Sequence, residues 1–594
     1  MKILTFYIFF IVSIHVNAQL SVRNSNFIFV SDCVIFVEDD ININEVNSKI
    51  FLRNEAQIIQ GSDLNGNSGI GELSVYQEGD TSSYQYNYWC SPISENISSS
   101  INNLFGISLL QDITGIITSV PVTMVHSSSY NGTANPLNIE PYWIWKFITS
   151  DEYSEWVHVQ GNIGINPGEG FTMKGVSGIS INNPGNNQRY DFRGKPNNGL
   201  INNMVTDGNW TLVGNPYPSA LDAKDYIWDL QNVNAITGTL YFWEQDPSIN
   251  SHYLADYVGG YATYTINSAG TLETFVPATF NTYKGDGSLN NIGLTSTSGK
   301  QVYRYIPIGQ GFMVEGKIGS TGSVVTKNSH REYYKESGLN SSFFKDQNPI
   351  KNKNEIKHTS DGLAIIPEEF KRFRINVDFD NIYTRQLVQT FHSSATNGFD
   401  YGLESKSPKG VASDAYWVCE GNPYIAQAFN FDSNLKIPLI IKLENQKSIR
   451  FRIFDIQNFD NNQSIFLHDM DAGVYVDLRS QDYLINLLEG DYSNRFEITF
   501  SNELLDISEN KDSSIDVYHN NRLSQLIIHN PNYLWLKSVK FYDILGQLVL
   551  SKGNFLSNDM YYINTNQLAT GTYIVNLEFN NSRIVKNKKI IIDN

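Results

Sequence analysis

The sequence predicts an all-β, multidomain protein, and three observations carry that prediction. Apolar and polar residues alternate with period 2 in many short runs. No long segment carries the 3.6-residue period of an amphipathic helix. Clusters of Gly, Asn, Ser and Asp punctuate the runs, as turns require. The chain has 594 residues, enough for several domains that each bury a core without a disulfide framework. Aromatic residues reach 13% and charged residues 18%, which excludes wholesale disorder. Lys+Arg number 43 against Asp+Glu 61, a formal charge of −18. With no basic excess to displace counterions, nucleic acid is excluded as a partner.

The elements follow in chain order. Lys2 precedes an apolar run from Ile3 to Ile14, and Val16-Asn17-Ala18 closes it with small residues. This is the layout of a signal peptide over 1–18, cleaved between Ala18 and Gln19. The run is too short to span a membrane, and no later segment approaches about 18 apolar residues, so no transmembrane helix is expected in the mature chain. Short apolar strands at 27–30, 34–37, 50–52 and 58–59 read as a few turns of β-solenoid or as a meander.

Residues 19–338 form an aromatic-rich β region. Within it Gly168-Glu169-Gly170-Phe171-Thr172-Met173-Lys174-Gly175 resembles Gly309-Gln310-Gly311-Phe312-Met313-Val314-Glu315-Gly316. Either a β unit is duplicated, or the same tight turn recurs as it does in many β proteins. Two polar stretches, 339–362 and 501–514, read as linkers. Between them, 363–500 is expected to be a β-sandwich. Phe373, Ile375, Val377 and Phe379 alternate there with Arg374, Asn376 and Asp378, as in a strand with one buried and one wet face. Tyr573, Val575, Leu577 and Phe579 repeat the pattern in a last domain, 515–594.

Motifs exclude more chemistry than they supply. Cys33, Cys90 and Cys419 are odd in number and far apart, which excludes a zinc ribbon and a disulfide scaffold. A Cys33–Cys90 bridge and buried free thiols both stay open. In GLTSTSGK, Gly293 to Lys300, the glycine spacing is one too long and Gln301 stands where a phosphate loop needs a hydroxyl. Asp63 to Gly69 spaces oxygen ligands as calcium loops do, but Ser74 stands where an EF-hand needs Glu. No cofactor or metal site is expected, a loosely bound calcium ion apart, and no residue is assigned a catalytic role. His468-Asp469-Met470-Asp471 reads as a solvated turn. The aromatic strands are the main binding candidates, because rings stack on sugar faces while amides orient them. Tyr142, Trp156, Tyr253 and Tyr257 are the candidate ligand-binding residues. Trp143, Trp145 and Phe147 should face the core, with Tyr142 and Lys146 outward.

Residues 515–594 resemble the C-terminal type A sorting domain of the type IX secretion system of Bacteroidota. The resemblance rests on Val539 to Val549 with its Gly546-Gln547, on Leu568-Ala569-Thr570-Gly571-Thr572-Tyr573, and on the basic strand Lys586 to Ile592. It implies a small β-sandwich read by the outer-membrane translocon. On it, Gly546 and Gly571 should permit turns, Tyr573 should pack the core, and Lys588 and Lys589 should present charge on the last strand. The remainder resembles a group of large secreted flavobacterial proteins, through Tyr86-Asn87-Tyr88-Trp89-Cys90-Ser91-Pro92, Arg189 to Pro196, Leu212 to Ala220 and Ala395 to Asp400. That group brings export but no activity. The expected function is therefore that of an exported cell-surface or secreted protein, non-enzymatic, used for adhesion, binding or surface coating. The alternative is a secreted carbohydrate-binding or carbohydrate-active enzyme. The expected partners are the translocon and either a polysaccharide or another surface protein.

Overall fold

The computed structural model describes residues 19–594 except 65, 162–163, 183–186, 338–357, 360, 409–410, 503–514, 532, 580–584 and 594. The expected signal peptide with Ala18, and most of the expected linkers 339–362 and 501–514, lie outside the described residues. Gln19 is the first described residue. The chain divides into two units, Met1–Ser501 and Asn502–Asn594. Both are built of strands, as the alternation predicts. Two short helices, Ala223–Ile227 and Leu230–Ala235, are N-capped by Asp222 and Asp229.

The first unit opens with a β-solenoid. Leu20–Val22 lies on Ile41–Ile43, Phe27–Ser31 on Lys49–Arg53, and Val34–Val37 on Gln57–Gln60, all in parallel. Lys49–Arg53 then pairs in parallel with Glu72–Gly79. Of the two readings of 20–60, parallel pairing selects the solenoid, because hairpin-linked meander strands run antiparallel. Val22, Val30, Val37, Ile41, Ile43, Ile50, Leu52 and Ile58 point inward to one core. Asp32 and Asn54 take corners with φ of 59° and 55°, a region short polar residues tolerate. Cys33 is exposed at the first of these corners, while Cys90 and Cys419 are buried. All three thiols are free, so the Cys33–Cys90 bridge left open above does not form.

The two Gly-x-Gly-Phe motifs occupy matching places. Gly170–Lys174 pairs antiparallel with Tyr86–Cys90, and Gly311–Gly316 pairs antiparallel with Trp210–Gly214. Gly168 and Gly309 turn with φ of 81° and 77°, and Phe171 and Phe312 are fully buried. The motifs also reach across to each other. Cys90 N donates to Gly309 O at 2.8 Å, and Gly214 N donates to Gly168 O at 3.2 Å. Gly311–Gly316 and its neighbours belong to a seven-stranded sheet that includes Ile236–Gln245 and Val258–Ile266.

The strands from Lys371 to Thr499 form an eleven-stranded sheet. It curls far enough that its tenth strand returns to its second: Tyr483 OH donates to Asp469 Oδ2 at 2.9 Å. Phe373, Ile375, Val377, Phe379, Trp417, Leu439 and Phe496 fill the enclosed core. The opposite face of Lys371–Phe379 is not wet, against expectation. Arg372, Arg374, Asn376 and Asp378 are buried. Arg372 donates to Glu273 O at 2.8 Å and to Thr274 Oγ1 at 2.7 Å, and Arg374 donates to Phe275 O at 2.7 Å. Glu273–Val276 thus covers that face, and contacts cross the boundary expected at 339–362.

In the second unit a three-stranded and a four-stranded sheet share one core. Tyr573, Val575, Leu577 and Phe579 lie in it, with Ile574 exposed on the other face, as the alternation predicts. Gly546 turns with φ of 78°. Gly571 instead opens the strand Gly571–Phe579 without a left-handed φ, so no turn there calls for glycine. Lys588 and Lys589 are exposed on Val585–Ile592. Among the described residues, no helix is long and apolar enough to cross a membrane.

Candidate functional site

The candidate site is built where strand alternation sends Tyr86 and Tyr88 to one face and Trp89 to the other. Trp89 joins the N-terminal core, and Tyr88 packs with Phe147, Leu212, Tyr241 and Met313. The antiparallel register sets Thr172 opposite Tyr88 and Lys174 opposite Tyr86. Lys174 is therefore delivered into a cluster of rings. It is 4% exposed.

Its ammonium lies 3.7 Å from the Trp143 ring centre, 4.8 Å from Tyr257 and 4.9 Å from Tyr86. It donates to the Tyr257 hydroxyl and, at 3.1 Å, to His252 Nδ1. An Nδ1 that accepts fixes the tautomer, so Nε2–H donates to Asn131 Oδ1 at 2.7 Å. Burial pulls the Lys174 pKa down to about 6. The three ring faces oppose that by favouring the charged form. His252 is pushed down to about 4, first by burial and then by the charge of Lys174. Glu315, at the matching place in the second motif, is instead paired with Lys406 and accepts from Tyr241 OH at 3.1 Å.

Outside this cage the rings reach solvent. Tyr142 is 41% exposed, and Tyr130 stands 5.2 Å from it, centre to centre. His158 follows at 5.7 Å from Tyr142 and stacks on Trp145 at 4.2 Å. Backbone carbonyls hold the indoles: Trp143 Nε1 donates to Tyr130 O and Trp145 Nε1 to Tyr142 O, both at 2.8 Å. Glu140 anchors the start of the row by accepting from Ser127 N at 2.8 Å and Tyr142 N at 3.2 Å. Such a surface offers ring faces with polar edges, suited to stacking.

The four sequence candidates separate here. Tyr142 lies on the exposed row. Tyr257 is 5% exposed and belongs to the cage, where it holds Lys174. Trp156 packs between Phe147 at 4.8 Å and Tyr88 at 6.1 Å. Tyr253 projects outward from the loop that carries His252, 79% exposed. Trp143 and Phe147 are buried, as expected, whereas Trp145 is only half-buried because the strand there is just Trp145–Lys146. Lys174 and His252 escaped the sequence reading. The one available signal was the charge reversal between Lys174 and Glu315 in the paired motifs.

Other candidates are engaged in structure. Asp63 Oδ1 accepts from Asn328 N at 2.7 Å, and buried Asn67 bonds Ile41 N and Gln60 at 2.8 Å. Those oxygens are thus occupied, and Asn65 lies outside the described residues. Among the described residues no three His, Cys, Asp or Glu gather to hold a metal. His468 stacks on Tyr475 and meets Glu497 at 2.8 Å, while Asp469 binds Arg495 through both oxygens. Glu244 is buried under Ser296 and Ser298. A cavity of about 650 Å³ opens elsewhere, at the solenoid's side, lined by Arg53, Tyr76, Gln77, Glu78, Arg189 and Glu336. Its polar walls bond to one another, with Arg189 on Glu78 at 2.7 Å and Glu55 accepting from Glu336 N at 2.7 Å.

Comparison with known families places both units. Residues 502–593 match the secretion system C-terminal sorting domain. The chain is thus a type IX secreted protein, exported to the cell surface or extracellular space, and it engages the secretion machinery through this domain. No curated protein matches the chain. Residues 9–500 match a domain of unknown function, DUF8693, over most of the chain. The protein therefore belongs to the DUF8693 family and carries at its C-terminus the domain that exports it.

Proposed function

We propose that this exported protein is a non-enzymatic binding or adhesion protein, and that the ring row Tyr130, Tyr142, His158 and Trp145 is its contact face. The supporting observation is that this row is exposed yet fixed. The Trp145 indole and that of Trp143 behind the row are tied to backbone carbonyls of Tyr142 and Tyr130, and the caged Lys174 packs on Trp143. Rigid rings lose little entropy on contact, which favours their use in recognition. The partner is a polysaccharide or another surface protein. Tyr253 and Trp156 belong to the same proposal. A carbohydrate-binding module or carbohydrate-active enzyme is the second reading, favoured by the combination of ring faces with polar edges.

The export signal is cleaved between Ala18 and Gln19, and the parent is a Bacteroidota protein. The translocon reads a surface that includes Gly546, Gly571, Tyr573, Lys588 and Lys589. A loosely bound calcium ion is tested by adding it.

The test is native affinity electrophoresis of the mature chain through gels holding a panel of polysaccharides, with and without calcium. Retardation by one polymer, lost in a Tyr142→Ala, Trp145→Ala double variant, is the outcome the sugar-binding form expects. Release of reducing ends from that polymer would replace it with the enzymatic reading. No retardation on any gel would leave a protein partner, and pull-down by the wild type but not the double variant would then be required. If the double variant keeps every interaction of the wild type, the row is not the contact face.

A further inference from the structure

The first solenoid coil leaves three strand edges open at once. Leu20–Val22, Phe27–Ser31 and Val34–Val37 each pair with the coil behind, and among the described residues no strand pairs with their other edges. Unpaired edges are templates for further strands, and proteins usually blunt them with lysine, proline or a bulge. Here Phe27–Ser31 reads FIFVS and Val34–Val37 reads VIFV, with neither charge nor proline, and both hold an unbroken register. The outward side chains are apolar as well: Phe27 is 56% and Phe36 61% exposed. One coil further in, Phe51, opposite Phe29, is buried beneath Arg53 and Arg193. Stacked-repeat proteins need a polar cap on a terminal repeat, and these two edge strands present apolar side chains instead.

We propose that the mature protein forms a two-fold dimer through this end, first coil against first coil. The geometry selects the occupant. A single extended peptide can satisfy only one of three edges that lie on three sides of a coil. A second first coil presents three edges with the same spacing. A two-fold axis lying across the end and bisecting Phe27–Ser31 runs every facing strand antiparallel. Phe27–Ser31 then meets its own symmetry mate, and each of the other two edges meets the opposite kind. Such an interface is self-complementary and closed, so it stops at two copies and does not grow into a fibre. It rests on the cleavage proposed above, which places Gln19 beside the first edge strand.

Two measurements on the mature chain test this. Light scattering after size exclusion should give twice the chain mass for the wild type. A Phe27→Lys, Phe36→Lys variant should give the single-chain mass with an unchanged circular dichroism spectrum, since both side chains are exposed. Independently, Cys33 is the exposed thiol, with Cys90 and Cys419 buried, so a nitroxide label goes to it. The two-fold axis puts the two labels at opposite ends of the paired five-residue strand, and at about 3.3 Å per residue their separation should be roughly 20 Å. A single-chain mass at every concentration overturns the proposal. So does a dimer that survives the double lysine variant, or one whose labels lie beyond 40 Å, roughly twice that strand-based separation. If the chain carrying residues 1–18 is monomeric while the mature chain dimerises, the dimer holds and its link to cleavage is supported. Equal dimerisation of both separates the dimer from the cleavage reading and overturns that link alone.

Discussion

Glu404 shows what burial does to a single carboxyl. Its oxygens accept the backbone N–H of Asp400 and, at 3.4 Å, that of Ala428. Burial pushes its pKa up from 4.5 to about 8, and the charges of Asp400 and Glu420 add to the rise. The folded chain therefore holds a proton there that the unfolded chain releases near pH 4.5. The resulting stabilisation is complete below about pH 4.5 and is lost as pH rises through about 8. Lys174, held at about 6, gives a slope of the opposite sign, because the unfolded chain binds the proton that the folded chain gives up. The measurement is thus a difference: urea midpoints followed from about pH 5 to 9 should fall less steeply in Glu404→Gln than in the wild type. Equal slopes would show that Glu404 titrates normally. At this scale the sequence was partly legible. Tyr142 lies outward because its neighbours Trp143 and Phe147 are buried. Tyr257 is indistinguishable from Tyr142 in composition, yet it faces inward because a lysine 83 positions away needs its hydroxyl.

Among whole elements, the paired Gly-x-Gly-Phe strands carry the sharpest steric demand. A Cβ on Gly311 would stand 2.8–2.9 Å from the backbone of Tyr88 and Trp89, which cannot step aside. Gly311→Ala should lower stability by about 1–3 kcal/mol in urea unfolding. A Cβ on Gly571 would meet nothing nearer than the Tyr573 ring at 3.7 Å, so Gly571→Ala should stay within about 0.5 kcal/mol. Equal losses at both sites would contradict the geometry. Alternation located strands such as Lys371–Phe379 and Gly571–Phe579 but misjudged how many faces are covered. Lys371–Phe379 has polar residues on its second face, and those residues are buried because arginine can satisfy the backbone carbonyls of a covering strand. A period-2 pattern reports chemistry on each face, whereas covering depends on which other segment arrives. The solenoid was legible as short apolar strands, but their parallel pairing follows from chain path and not from composition.

For the molecule as a whole, export is the property best written into the sequence. The sorting signal is local: a C-terminal domain with its own turn and strand motifs. Deleting 515–594 should leave the protein in the periplasm, as fractionation and immunoblotting would show. Normal arrival of the truncated chain at the surface or in the medium would contradict the role of this domain. The lysine cage was less legible, because segments up to more than a hundred residues apart assemble it. Tyr86 and Lys174 meet through the register of one strand pair, while Trp143 and Tyr257 arrive from short 3-10 turns of other segments.

The crossed hydrogen bonds of the two motifs also impose an order in time. Cys90 N has its acceptor at Gly309 O, and Gly168 O has its donor at Gly214 N. A chain made from its N-terminus presents Cys90 long before Gly309 exists to receive it. Contacts so distant along the chain make folding slow, since a long loop must close before they form. Nascent fragments that stop short of Gly309 therefore remain open, and refolding of the finished chain should be limited by this closure. Slowness of that kind keeps a polypeptide threadable while it is still being passed through a membrane.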